Sequence, residues 1–180
     1  MSDMTERFEM EWEGRRYFLS PQGFCDAQTY LKPPEAIHQH LKAACARELE
    51  IVIQTESNAP SLLKHSRLAK NLGYLDLAEK ITEQALLAEP QNCFAIARLS
   101  SILRAKGRPR RALEVASRIP EGAQTHPILT SRAAALCDLE LWPEADKIIR
   151  RSLGRLSGRP KLEATEALSV LQRIRHAQAL

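Results

Sequence analysis

The sequence predicts a mainly α-helical chain: an array of stacked helix pairs, preceded by a small N-terminal β-hairpin module and followed by a C-terminal capping helix. Three observations predict it. Similar patterns of small and apolar residues restart at Ala59, Cys93 and His126, 34 and 33 residues apart, and a fixed period of that size marks stacked supersecondary units. Phe8 to Trp12 alternates apolar and charged residues, which is a strand signal. Lys161 to Ala179 carries an amphipathic helical stripe. The expected organisation is a hairpin module at 1–32, a linking or capping helix at 33–58, three helix pairs at 59–153 and a capping helix at 154–180.

The front module is aromatic. Phe8, Trp12, Tyr17, Phe18, Phe24 and Tyr30 are six of the nine aromatic residues in the chain. Glu13-Gly14 suits a two-residue turn, with Arg15 to Leu19 returning as the second strand. That register sets Met10 opposite Tyr17 and Phe8 opposite Leu19, so one face is apolar. Ser20-Pro21-Gln22-Gly23 suits a type I turn. An isolated hairpin is marginal in water, so this one is expected to dock on the helix that follows. That helix is expected from Pro33-Pro34 to about Thr55, because proline is tolerated in a first helical turn. Ile37, Leu41, Ala44, Cys45 and Val52 make its expected buried stripe.

Within the array, each pair consists of a helix A, a tight turn and a helix B. Small residues recur at the eighth position of the unit (Ser66, Ser100, Ala133) and the twentieth (Ala78, Ala112, Ala145). There they let helices A and B approach closely. Gly73 and Gly107 close helix A, because glycine adopts positive φ without a steric penalty. Glu140 holds the same position in the third unit. Pro90, Pro120 and Pro127 stand where one helix must stop before the next begins, and Pro120 is expected to cut helix B of the second unit short. After the array, Ala164, Ala167, Leu168, Leu171 and Ile174 form the expected stripe of the capping helix. The end of a solenoid needs a polar outer face.

The strings NLGYLDLAEKITEQALLAEPQN and AKGRPRRALEVASRIP, with the period, resemble the tetratricopeptide repeat family. The resemblance covers Ala59 to Leu153. It implies a right-handed α-α superhelix that acts as a protein-binding scaffold and not as an enzyme. It also implies a groove lined by helix A. Mapped onto these units, the groove positions are Leu63, Arg67 and Lys70, then Phe94, Ala97, Ser101 and Arg104, then Thr130, Ala134 and Cys137, with Asn71 and Arg98 close by. Some family members clamp a terminal carboxylate with lysine and asparagine; Leu63 and Arg67 stand where the first unit would carry that pair. The implied ligand is an acidic or amphipathic segment of another protein.

Charge is distributed unevenly. Residues 1–97 hold 10 Lys/Arg and 14 Asp/Glu, a balance of −4, whereas residues 98–180 hold 16 and 8, a balance of +8. Arg104, Lys106, Arg108, Arg110 and Arg111 crowd the turn of the second unit, and Arg150, Arg151, Arg155, Arg159 and Lys161 crowd the exit of the third. Two readings stay open for these runs: a solvated face, or contact with an acidic partner or nucleic-acid phosphates. Aromatic residues are not interleaved with them, which favours nucleic acid less. A secretion-type chaperone fits the size and repeat number, although the pI of about 9.0 speaks mildly against it. Pairing of two chains through Phe94 or the front module is a further expectation.

Catalytic and metal signatures are not expected. His38 and His40 lie two apart on a helix and point to different sides. Cys25 and Asp26 are expected in a loop without a nucleophile signature. The sequence has no glycine-rich phosphate loop, G-x-S-x-G or H-E-x-x-H, so no cofactor is expected. Cys25, Cys45, Cys93 and Cys137 form no C-x-x-C pair and are expected to be reduced. Tyr74 and Trp142 are expected to pack at the turns. No apolar run approaches the ~20 residues of a membrane helix. Met1 to Glu11 is acidic, unlike a signal peptide, so the expected location is cytoplasmic.

Overall fold

The computed structural model describes residues 8–20, 23–26, 35–154 and 161–179. It is mostly helical, with a small antiparallel sheet near the N-terminus followed along the chain by packed helix pairs. The chain divides into two compact units, Met1–Pro90 and Gln91–Leu180. The boundary falls inside the expected array, after its first helix pair.

The first unit opens with strands β1 (Phe8–Trp12), β2 (Arg15–Ser20) and β3 (Gly23–Asp26), antiparallel in that order. Phe8 pairs with Leu19 and Met10 with Tyr17, as the alternation predicts. The turn is formed by Glu13 (φ 50°) and Gly14 (φ 72°). Positive φ at both central residues is the primed turn geometry whose twist matches two antiparallel strands. The third strand corrects the sequence reading: Cys25 and Asp26 sit on β3, paired with Phe18 and Tyr17, and not in a loop. Gly23–Asp26 is too short to show an alternation, so only its pairing to β2 makes it a strand. The expected type I turn centres on Pro21 and Gln22, which lie outside the described residues. Tyr17 and Phe18 are both buried, so the central strand is covered on both faces.

Helix α1 (Glu35–Thr55) receives the sheet. The Trp12 and His40 ring centroids are 4.8 Å apart, tilted by 58°, so the expected docking on the following helix is found. The expected start at Pro33-Pro34 lies outside the described residues. Ile37, Leu41, Ala44, Cys45 and Leu49 form the buried stripe. Leu49 replaces the expected Val52, which is half-buried. Its place one turn beyond Cys45 keeps the stripe straight on the 3.6-residue period.

Helix α1 gives way to α2 (Ala59–Asn71) through a chain of local hydrogen bonds. A Glu56 carboxylate oxygen accepts from the Ser57 and Asn58 amides at 2.9 and 2.8 Å, and Asn58 Oδ1 accepts from the Ser61 amide at 3.0 Å. The asparagine thus caps amides that α2 itself leaves unpaired. Helix α3 (Leu75–Ala88) packs against α2. At their contact Ser66, Ala69, Ala78, Ile81, Thr82 and Ala85 are fully enclosed.

The second unit contains α4 (Cys93–Ala105), α5 (Pro109–Ala116), α6 (His126–Asp138), α7 (Trp142–Gly154) and α8 (Lys161–Gln178). Asn92 caps α4 by accepting from the Phe94 and Ala95 amides, both at 3.0 Å. Helix α5 has only 8 residues. Ile119 precedes Pro120 and so is disfavoured in helical conformation; it is buried instead, and its carbonyl accepts from Gln124 Nε2 at 3.1 Å. Helix α6 packs on both α4 and α5, and α8 packs on both α6 and α7.

The predicted small residues do what their spacing requires. Ser100, Ala112, Ala133 and Ala145 are all enclosed at helix contacts. The A-to-B turns share one hydrogen-bond scheme. Gly73 donates to Lys70 O and Tyr74 to Ala69 O; Gly107 donates to Arg104 O and Arg108 to Leu103 O; Glu140 donates to Cys137 O and Leu141 to Leu136 O. All three turn residues have positive φ, at 86°, 71° and 61°. Glu140 therefore takes the left-handed conformation that glycine takes in the other two turns.

The stripe of α8 is rotated from its expected position. Ala167, Val170, Leu171 and Ile174 pack against Ala133, Ala134, Leu136, Cys137, Ala145 and Ile149. Leu168 is 48% exposed and Val170 takes its place. Two overlapping sets of i, i+3, i+4, i+7 spacing exist in this segment, and contact with α6 and α7 selects the second. The side chain of Ala164 lies outside the described residues.

Candidate functional site

The expected binding positions fall in both compact units. On α2, Leu63, Arg67 and Lys70 are half-buried and Asn71 is exposed. Their spacing places them on one face of the helix, beside the enclosed Leu62, Ser66 and Ala69. On α4, Phe94, Arg98 and Ser101 follow the same spacing. Phe94 is 66% exposed, a large apolar side chain left in water on the first turn of the second unit. Arg98, Ser101 and Arg104 are half-buried.

The expected groove does not continue onto α6 as an open surface. Thr130, Ala134 and Cys137 are buried. Ala134 and Cys137 lie in the core that α8 covers. Thr130 Oγ1 is 3.0 Å from Ser152 Oγ on α7. Ala97 meets α6 through its carbonyl, which accepts from Ser131 Oγ at 3.4 Å.

Arg104 is engaged within the protein. Its Nε donates to Asp138 Oδ2 at 2.5 Å and its Nη2 to Asp138 Oδ1 at 3.3 Å. Arg173 Nη2 on α8 donates to the same Oδ1 at 2.7 Å. One carboxylate on α6 therefore ties together α4, α6 and α8. Burial alone would push the Asp138 carboxyl up, but the hydrogen bonds and charges of the two arginines outweigh it and hold it below the usual aspartate range. The sequence reading missed Asp138 and Arg173. A signal was present: Arg104 and Asp138 are opposite charges separated by 34 residues, one repeat apart.

The expected basic patch is exposed and partly paired. Arg108, Arg110 and Arg111 lie at the start of α5, and Arg150 and Arg151 near the end of α7. Arg111 meets Glu114 at 3.1 Å and Arg150 meets Asp146 at 2.6 Å. Arg151 bonds Glu121, which holds that exposed carboxyl below its ordinary range. Exposed pairs of this kind contribute little to stability.

Several groups that could carry chemistry are structurally occupied. Ser152 Oγ lies 2.7 Å from His126 Nδ1, a distance suited to a nucleophile and its base. Ser152 is enclosed, however, and its hydroxyl also meets Thr130. The three side chains satisfy one another between α6 and α7. Burial and the nearby Glu48 charge push the Cys45 thiol up to about 12, and burial also raises Cys137. Both thiols are therefore poor nucleophiles. His38 Nδ1 is 3.8 Å from Glu35, while His40 meets Trp12. Among the described residues no group of three His, Cys, Asp or Glu is placed to hold a metal ion. Tyr74 is half-buried with the Lys42 amine 5.9 Å from its ring centroid, and Trp142 packs against the core of the second unit. No described helix is long and apolar enough to cross a membrane.

Comparison with protein-family models and with curated proteins returns no match.

Proposed function

We propose that the chain is a non-catalytic interaction scaffold of tetratricopeptide-like helix pairs whose second unit binds an acidic or amphipathic segment of another protein. The observation that carries this reading is the charge of that unit. Residues 91–180 hold 16 Lys/Arg against 8 Asp/Glu, whereas residues 1–90 hold 10 against 14. The change of sign coincides with the boundary between the compact units. Fields of one sign steer and retain partners of the other. The exposed Phe94 adds an aromatic anchor beside Arg98 on α4, and aromatic and arginine side chains dominate the energy of many interfaces.

The test is the affinity of the purified full chain for a synthetic amphipathic acidic peptide, compared with Phe94→Ala and Arg110→Glu. Both positions are exposed, so the fold should survive. Each substitution is expected to weaken binding about threefold or more. Unchanged affinity in both variants overturns the reading. The same net charge also favours a second reading, contact with nucleic-acid phosphates. Tight oligonucleotide binding that falls steeply with salt would select it. A cytoplasmic setting, expected from the acidic Met1 to Glu11 segment, and a chaperone-like role, expected from size and repeat number, belong to the same proposal.

A further inference from the structure

We infer that Arg104 and Arg173, which flank Asp138, form a seat for a side-chain carboxylate of the bound acidic segment. The inference rests on the protein-binding reading above and assigns it a specific contact. Two guanidiniums share one carboxylate, so the cluster keeps a net positive charge. Each guanidinium has five N–H donors. Asp138 receives two from Arg104 and one from Arg173. Its own acceptor capacity is largely used, whereas the donor capacity of the pair is not.

The cluster is accessible enough to be reached and enclosed enough to matter. The side chains of Arg104 and Asp138 are each 23% exposed, and that of Arg173 is 40% exposed. The charges acting on Asp138 are those of the two arginines. A half-buried site screens charge less than open water. Planar guanidinium forks are suited to bidentate recognition of carboxylates. Arg173 lies on α8, beyond the repeated segment, so α8 contributes to binding as well as covering α6.

The experiment uses the full chain and a fluorescein-labelled oligoglutamate peptide, with the matching oligoglutamine peptide as control. Arg173→Gln should weaken oligoglutamate binding about threefold to tenfold. Arg175→Gln, an equal charge loss at an exposed position on the same helix, should change it less than twofold. Asp138→Asn, checked for a retained fold by circular dichroism, should strengthen binding, because it removes the internal competitor and leaves both arginines. If Arg173→Gln and Arg175→Gln weaken binding equally, the peptide senses only the general field and the seat is overturned while the scaffold reading stands. If Asp138→Asn folds and binds no better, the seat is likewise overturned. If the unmodified chain does not distinguish oligoglutamate from oligoglutamine, the acidic-partner reading fails and the seat fails with it.

Discussion

In the first helix pair, the Ser66 and Thr82 hydroxyls lie 2.6 Å apart, and both reach the Ala78 carbonyl, at 3.2 and 2.7 Å; with one proton each, one hydroxyl donates to the other and the second to the carbonyl. In the second pair Ala116 stands at the repeat position of Thr82, and the buried hydroxyl of the equivalent serine, Ser100, has no hydrogen-bond partner among the described residues. The pairs share spacing, small contact residues and turn geometry, yet they close differently. Helix α3 has 14 residues, while α5 has 8. The first pair is braced by α1, which packs on both of its helices, and the second by α6. A repeat can therefore keep its packing frame while its polar contacts and lateral supports change. The second pair's support includes charged links to the next helices of its unit, and those links sit among the expected binding residues.

The largest expected effect concerns that support. Asp138→Asn leaves two arginines facing a neutral amide, and should cost about 1–3 kcal/mol in thermal or urea unfolding. Glu121→Gln removes a carboxylate from an exposed pair and should leave stability nearly unchanged. Equal effects would show that the cluster is no more than a surface contact. The pH dependence has a fixed sign. Because the folded Asp138 carboxyl is held below its ordinary value, its stabilisation is complete above the unfolded aspartate pKa and is lost as pH falls through the folded one. Acidification through that window should therefore destabilise the unmodified chain more than Asp138→Asn.

These supports mark where the sequence could be read. The small residues, the turn glycines and the pairing of Met10 with Tyr17 were legible, because local spacing determines each of them. Strand β3 was not, since four residues carry no periodicity and need β2 as a partner. The face of α8 was ambiguous between Leu168 and Val170, and only α6 and α7 decide it. The groove on α6 was misread for a related reason. Repeat positions locate Ala134 and Cys137 on helix A but do not reveal that α8 lies over them. Asp138 was missed because its two partners come from different helices, one of them outside the repeated segment.

A smaller effect separates the serines. Ser66→Ala removes a buried hydrogen bond while Thr82 keeps its contact with Ala78, and should cost about 1 kcal/mol. Ser100→Ala removes a buried hydroxyl that has no partner, and should be neutral or stabilising by up to about 1 kcal/mol. Equilibrium unfolding of both variants tests the contrast. If both lose the same stability, the difference in hydrogen bonding between the pairs has no energetic consequence.

The smallest effect lies in the turns. Gly73 and Gly107 hold positive φ at little cost, whereas Glu140 holds φ 61° with a side chain. A non-glycine residue in the left-handed region is strained by about 1 kcal/mol. Glycine offsets part of that gain by widening the unfolded ensemble. Glu140→Gly should therefore stabilise by only about 0.5 kcal/mol net. Gly73→Ala and Gly107→Ala should each destabilise by about 1 kcal/mol. An added Cβ meets nothing within 4 Å at either glycine, so their cost would come from the backbone conformation alone. Opposite signs in unfolding experiments are the expected result. A loss of stability in Glu140→Gly would mean that the glutamate side chain supports the third turn in a way the shared hydrogen-bond scheme does not explain.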